Sequence, residues 1–270
     1  MSADIRLLQF SDPHLFDSVA DALRGVCSYE SLRAVLAHAG THLAAADAVL
    51  LSGDLVNDEV GGYRHVRQLF GALGKPVLCV PGNHDDPEAM REALAVPPFQ
   101  TDGHLDLGAW RIILVDSCWP GHVLGRIGAG ALQRLDESLR SAQDRPSLIC
   151  LHHHPVPLGS RWIDSIGLQN ADEFIAVTDR YPALRTIVWG HVHQNFDSRR
   201  KGVRLLATPA TCAQFLPHTD SFAVDPSPPG YRRLTLAADG TFSTEVLRIA
   251  AAGHGHGHGE PPLVAGHRSR

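Results

Sequence analysis

The sequence predicts an α/β protein built from two packed sheets with helices outside them. Short apolar runs of strand length recur along the chain. Helical patterns fill several of the early gaps, whereas the late runs follow one another directly. Most early runs also end in a cluster of Asp, Asn or His, where an α/β sheet places its ligands.

The strands come in order. "IRLLQF" (5–10), "AVLLS" (48–52), "PVLCV" (76–80), "WRIILVD" (110–116), "SLICL" (147–151), "RTIVWG" (185–190) and "VRLLAT" (203–208) are apolar and rich in branched residues. "RRLTLAAD" (232–239) and "TFSTEVLRI" (241–249) flank a single glycine and predict a hairpin. Between them, "SYESLRAVLAHAGTHLA" opens at Ser28 and repeats apolar residues every three or four positions, as a helix does. "DPEAMREALA" and "GALQRLDESLRSA" follow the same pattern. From Ala250 the chain turns to glycine, proline and alternating histidine without periodicity. The expected organisation is therefore a folded unit over 1–249 and a disordered tail over 250–270.

Composition narrows the function. With 44% hydrophobic and 20% charged residues the chain can bury a full core, which excludes wholesale disorder. A net charge of −5 and no lysine/arginine stripe argue against a nucleic-acid polymer as partner. A small anionic substrate stays open if a metal supplies positive charge locally. The five cysteines are widely spaced and form neither a disulfide framework nor a CxxC zinc pattern. No leader-like segment or membrane-length apolar run is visible, so the expectation is a cytoplasmic protein without membrane attachment.

Five strand ends carry the chemistry: "QFSDPH" (9–14), "LLSGDLVND" (50–58), "VPGNHDD" (80–86), "LHHHP" (151–155) and "WGHVH" (189–193). Carboxylates, an amide and imidazoles arriving together make a metal-ligand set. In extended backbone Asp12 and His14 share a side, as do His191 and His193. In "GNHD", Gly82 suits a tight turn, Asn83 offers an amide oxygen, and Asp85 is placed to orient His84. In the histidine triplet, His152 and His154 share one side and His153 takes the other.

The order D-x-H, G-D, G-N-H-D, H-x-P and G-H-x-H resembles the calcineurin-like metallophosphoesterase superfamily. More narrowly, "ALRGVCSYESL", "VDSCWPGHVLGRI", "LHHHPVPLGSRWIDSIGLQN", "GHVHQNFD" and "PPGYRRLTL" resemble bacterial class III 3′,5′-cyclic AMP phosphodiesterases, from about Ile5 to Ile249. The resemblance implies a four-layer αββα sandwich and a two-metal site. It assigns Asp12, His14 and His193 to one metal and Asn83, His153 and His191 to the other, with Asp54 bridging. Its H-x-P spacing is what selects His153. His84 is left to stabilise the transition state or to protonate the leaving group, with Asp85 fixing its tautomer.

The implied reaction is hydrolysis of cyclic AMP to the 5′-monophosphate by a hydroxide shared between two metals, iron, manganese or zinc. His154, Asn57 and Asn195 are the expected substrate contacts, with Tyr63 and His122 as further loop candidates. Trp162 is read as a loop-packing residue or a subunit contact, which leaves a homodimer open. The alternatives are another phosphodiester or phosphomonoester at the same site (a 2′,3′-cyclic nucleotide or a glycerophosphodiester), or a non-catalytic scaffold of the same fold.

Overall fold

The computed structural model describes residues 4–249, so the tail expected over 250–270 lies outside the described residues. The first half runs β1 (Ile5–Phe10), β2 (Ala22–Leu23), β3 (Val26–Cys27), α1 (Ser28–His38), α2 (Gly40–Ala45) and β4 (Ala48–Ser52). It continues with α3 (Tyr63–Phe70), β5 (Val77–Val80), α4 (Pro87–Ala93) and β6 (Phe99–Gln100). Next come β7 (His104–Leu107), β8 (Trp110–Leu114), α5 (Ala129–Ala142), β9 (Ser147–Cys150), α6 (Arg161–Asp164) and α7 (Ala171–Thr178). Then follow β10 (Leu184–Trp189), β11 (Phe196–Arg200), β12 (Val203–Ala207), β13 (Gln214–Phe215), β14 (Val224–Asp225), β15 (Gly230–Leu236) and β16 (Phe242–Arg248).

Two six-stranded sheets form, in the orders β16-β15-β1-β4-β5-β6 and β11-β12-β10-β9-β8-β7. In each, the central strands are parallel and an antiparallel partner closes at least one edge. The expected hairpin is the β15–β16 pair, in register from Gly230↔Arg248 to Leu236↔Phe242.

Three apolar layers hold the sheets and helices together. Leu7, Leu50, Leu78, Leu148, Cys150, Val188, Leu206 and Leu234 meet between the sheets. Leu8, Phe10, Val49 and Leu51 face outward onto residues of α1, α3 and α4. Ile149, Leu151, Ile187 and Trp189 do the same toward α5 and α7. The result is helix, sheet, sheet, helix: the αββα sandwich.

Successive strand residues point to opposite faces. One step beyond the inter-sheet apolar layer the inward positions become Gln9, Ser52, His152, Gly190 and Thr208, with Arg232 on β15. These side chains are buried, so the top of the inter-sheet space is a polar layer capping a hydrophobic one. The site sits on that cap.

Local structure departs from the sequence reading in a few places. The run read as one helix over 28–44 divides at Ala39–Gly40 into α1 and α2, where glycine costs a helix roughly 1 kcal/mol relative to alanine. Asp86 caps α4 by accepting from the backbone N–H groups of Glu88 (2.9 Å) and Ala89 (3.0 Å), with Pro87 in the first turn. The edge strand β11, "FDSRR", escapes pattern reading because pairing with β12 supplies its hydrogen bonds while little of it is buried. Among the described residues, no helix is long and apolar enough to cross a membrane.

Candidate metal centre

The loops after β1, β4 and β10 hold six non-glycine residues in left-handed backbone: Asp12 (φ 51°), His14 (46°), Asp54 (50°), Asp58 (62°), His191 (66°) and His193 (50°). Each such residue costs on the order of 1–3 kcal/mol and persists only where its surroundings over-determine it. Here they do. The N–H of Asp12 donates to the Gly53 carbonyl (3.1 Å), that of His14 to the Asp54 carbonyl (2.9 Å), and that of His191 to Asp12 Oδ1 (2.9 Å). The strained turns aim their side chains at one point.

Two groups of donor atoms meet there. In the first, His14 Nε2 and His193 Nε2 are 3.1 Å apart, Asp12 Oδ1 is 3.5 Å from His193 Nε2, and Asp54 Oδ2 is 3.6 Å from His14 Nε2. His193 Nδ1–H donates to the Ala213 carbonyl (2.6 Å) and His14 Nδ1–H to Asn57 Oδ1 (3.1 Å). Burial holds His14 neutral, with its pKa pushed down to about 3 against the pull of Asp54. With both Nδ1–H groups turned outward, the two Nε2 atoms face each other beside two carboxylates, a donor set that fits a cation.

In the second group, His152 Nε2 is 3.4 Å from Asp54 Oδ2 and 3.3 Å from Asn83 Oδ1, while its Nδ1–H donates to the Ser52 carbonyl (2.8 Å). His191 donates Nε2–H to the Ile166 carbonyl (3.0 Å), which leaves Nδ1 as its free lone pair. Burial opposes charge on His152, but Asp54 outweighs it and raises the pKa to about 9. Nitrogen and oxygen donors without thiolate suit iron, manganese or zinc alike.

Asp12, His14, Asp54, Asn83, His191 and His193, which the sequence reading groups as ligands, lie together here. His152 joins this set beside the expected His153, whose Nε2 is buried without a hydrogen-bond partner. The Nδ1 of His153 bonds Ser117 Oγ (2.9 Å) and its ring packs where a Cβ on Gly125 would intrude, 2.3 Å from Cγ. A nitrogen of His153 lies within 4.8 Å of nitrogens of His152 and His191, but the ring that touches Asp54 and Asn83 is His152. The reason is the strand: Leu148 and Cys150 face the inter-sheet space, so His152 follows them inward and His153 turns outward.

His84 and Asp85 also divide differently. Asp85 is buried and accepts from the N–H groups of Gly82 (2.9 Å), Leu55 (3.1 Å) and Val56 (3.2 Å) and from the Tyr63 hydroxyl (2.9 Å). It staples the loops after β4 and β5 and does not touch His84. The partner of His84 is Asp58, which sequence reasoning missed, with Nδ1 to Oδ2 at 3.0 Å. Burial disfavours charge on His84, yet Asp54 and Asp58 together raise its pKa to about 9. Its ring lies edge-on to His14 at 5.0 Å between centroids, and its side chain keeps 35% exposure. Gly82 matters for close approach: a Cβ there would lie 2.1 Å from Asp54 Oδ1 and 2.7 Å from His152 Nε2.

Of the three expected substrate contacts, Asn57 and Asn195 are hydrogen-bonded within the protein, and both ring nitrogens of His154 are buried without a partner. Asn57 orients His14, Asn195 accepts from Arg232 Nη2 (2.8 Å), and His154 is buried, stacked on His191 at 5.7 Å. Tyr63 is tied to Asp85, whereas His122 is exposed and stacks on Trp119 at 3.7 Å. Trp162 packs its own loop through Phe215, Phe222 and the Thr219 hydroxyl.

Comparison with known proteins agrees with this geometry. The 3′,5′-cyclic adenosine monophosphate phosphodiesterase CpdA of Escherichia coli (strain K12) is 39% identical over 250 residues, covering 92% of this chain and 91% of that protein. A 3′,5′-cyclic-nucleotide phosphodiesterase of Nostoc sp. is 35% identical over 246 residues, covering 91% and 92%. Among solved structures, a dimetal phosphatase from Danio rerio superposes with a TM-score of 0.64 at 14% identity, covering 86% of this chain and 95% of that one. The family model for calcineurin-like phosphoesterases matches residues 5–195, the span that contains every donor described above. Strained strand ends, converging donors and this match lead to one conclusion: the chain belongs to the calcineurin-like phosphoesterase family.

Proposed function

We propose that this protein is a metal-dependent phosphodiesterase that hydrolyses 3′,5′-cyclic AMP to the 5′-monophosphate. The observation that carries the substrate is the 39% identity to a cyclic AMP phosphodiesterase across nine-tenths of both chains. We assign Asp12, His14 and His193 to one cation, Asn83, His152 and His191 to the other, and Asp54 to both. Bound there, two divalent cations would neutralise phosphate charge and lower the pKa of water enough to supply a nucleophile near neutral pH.

The side chains do the rest. Asn83 brings an oxygen without charge, which limits the negative charge facing an anionic substrate. Asn57, Ser52 and Ala213 hold the rings of His14, His152 and His193 through the nitrogens that face away from the centre. His84, kept protonated by Asp54 and Asp58, hydrogen-bonds the phosphoryl group and supplies the proton to the ribose oxygen as the P–O3′ bond breaks. The water oxygen forms the new P–O bond, so the product is the 5′-monoester. A cytoplasmic setting belongs to the same reading, supported by five free thiols.

The test is a kcat/KM panel on manganese- or iron-loaded protein, comparing 3′,5′-cyclic AMP with 3′,5′-cyclic GMP, 2′,3′-cyclic AMP, a glycerophosphodiester and p-nitrophenyl phosphate. Cyclic AMP should lead. Turnover of the others without cyclic AMP would overturn the substrate assignment and leave the phosphoesterase site standing.

A further inference from the structure

Beneath the first group of donors, a chain of buried side chains crosses from one sheet to the other and back. Arg232 Nε–H donates to Thr208 Oγ1 (3.1 Å), and the Thr208 hydroxyl donates to Gln9 Oε1 (2.7 Å). Gln9 Nε2–H donates to Ser52 Oγ (2.8 Å), the Ser52 hydroxyl to Ser11 Oγ (2.7 Å), and the Ser11 hydroxyl to Asp12 Oδ2. None of the six residues is more than 2% exposed.

The direction of this chain is set by its ends. A guanidinium only donates and an ionised carboxylate only accepts. The Gln9 amide, with its oxygen toward Thr208 and its nitrogen toward Ser52, gives the middle the same sense. Every hydroxyl proton therefore points toward Asp12, and bonds aligned in this way polarise one another.

Two further observations mark the chain as more than incidental packing. Arg232 is buried, yet among the described residues no carboxylate pairs with it. Its remaining donors go to Thr244 Oγ1, Asn195 Oδ1 and the Ala207 carbonyl, all neutral acceptors. A buried cation served in this way is costly unless its charge is used elsewhere. Gly190, in turn, leaves the space the chain needs. A Cβ there would sit 2.2 Å from Ser11 Oγ and 2.8 Å from Asp12 Oδ2.

We propose that Arg232 is a positioning residue that acts through Thr208, Gln9, Ser52 and Ser11 to orient the Asp12 carboxylate and so set metal affinity at the His14/His193 position. The inference rests on the dimetal reading above. It deepens that reading by placing the control of one position across the inter-sheet space, about 220 residues along the chain from the carboxylate it serves.

The test is calorimetric titration of metal-free protein with Mn²⁺ alone. Thr208→Val keeps the shape and removes the hydroxyl. It should weaken one of the two Mn²⁺-binding steps by about 5-fold, while Ser11→Ala, next to the ligand, weakens the same step by about 10- to 100-fold. Thr208→Ser, which restores the hydroxyl, should bind like wild type. In the double variant Ser11→Ala/Thr208→Val the second break should add less than about twofold, because one chain can be cut only once. Wild-type affinity in Thr208→Val, loss of affinity in Thr208→Ser equal to that in Thr208→Val, or a double variant equal to the product of the singles would each overturn the relay. A wild-type protein that binds no Mn²⁺ would instead overturn the dimetal reading and the relay with it. If Thr208→Val does not fold, Gln9→Met cuts the same chain from β1 and carries the same expectations.

Discussion

The Nε2 atom of His152 lies 3.4 Å from Oδ2 of Asp54, with Nδ1 of the same ring tied to the Ser52 carbonyl at 2.8 Å. That contact joins residues that follow strands of different sheets. It makes His152 the inward member of the histidine triplet and leaves His153 on Ser117.

His152→Ala should therefore lose about one metal per chain and at least about 100-fold in kcat, consistent with removal of a ligand from a two-metal site. His153→Ala should keep two metals and lose stability instead, by roughly 2 kcal/mol for a truncated buried side chain. Metal analysis together with a urea melt separates the two. Loss of metal in His153→Ala with retention in His152→Ala would reverse the assignment.

His84 is expected to act as an acid, so His84→Ala should reduce kcat by roughly 10²- to 10⁴-fold with metal content unchanged. The pH dependence follows from Asp58. The folded-state pKa of His84 is raised, so the active protonated form is lost as pH rises through that value. Asp58→Asn removes one source of the rise and should move the alkaline limb of kcat/KM to lower pH. An unmoved limb would remove Asp58 from the mechanism.

Asp85 organises the loops around the site. Tyr63→Phe deletes one hydrogen bond to it and should cost about 1 kcal/mol of stability with kcat nearly unchanged. Asp85→Ala strands three buried N–H groups and should cost about 3 kcal/mol or more. Thermal melts beside activity assays distinguish this role from catalysis; a large kcat loss in Tyr63→Phe would contradict it.

Asp106 and Arg111 give a stability signature away from the site. The Arg111 guanidinium forks onto the Asp106 carboxylate at 2.7 and 2.8 Å and holds its pKa below the usual carboxylate range. The folded pKa is depressed, so the stabilisation is present above the unfolded pKa and is lost as pH falls through the folded one. Asp106 keeps 37% side-chain exposure, so solvent screening limits the pair to about 1 kcal/mol. Asp106→Asn should destabilise the protein at pH 7, with the difference from wild type shrinking from about pH 4 downward. A constant difference across that range would show that the charge is not the source.

Much of the fold was legible because burial on both faces writes a continuous apolar run into a strand. The runs at 5–10, 48–52 and 147–151 are apolar on both faces, as strands covered by a second sheet and by helices must be. What escaped was carried by hydrogen bonds or by few residues: β11 on its edge, the two-residue strands, and α3, whose polar face dominates its composition.

The donors themselves were legible for the same reason. Each follows an apolar run, and their order along the chain matches the family motif. Sequence alone determined which residue types reach the strand ends and that they form a set suited to a metal. Only the tertiary structure decided which neighbour meets which partner. The triplet 152–154, the pair His84–Asp85 and the chain from Arg232 to Asp12 all depend on which face of a strand meets the opposite sheet. That facing is set by packing between elements far apart in sequence, and no local spacing encodes it.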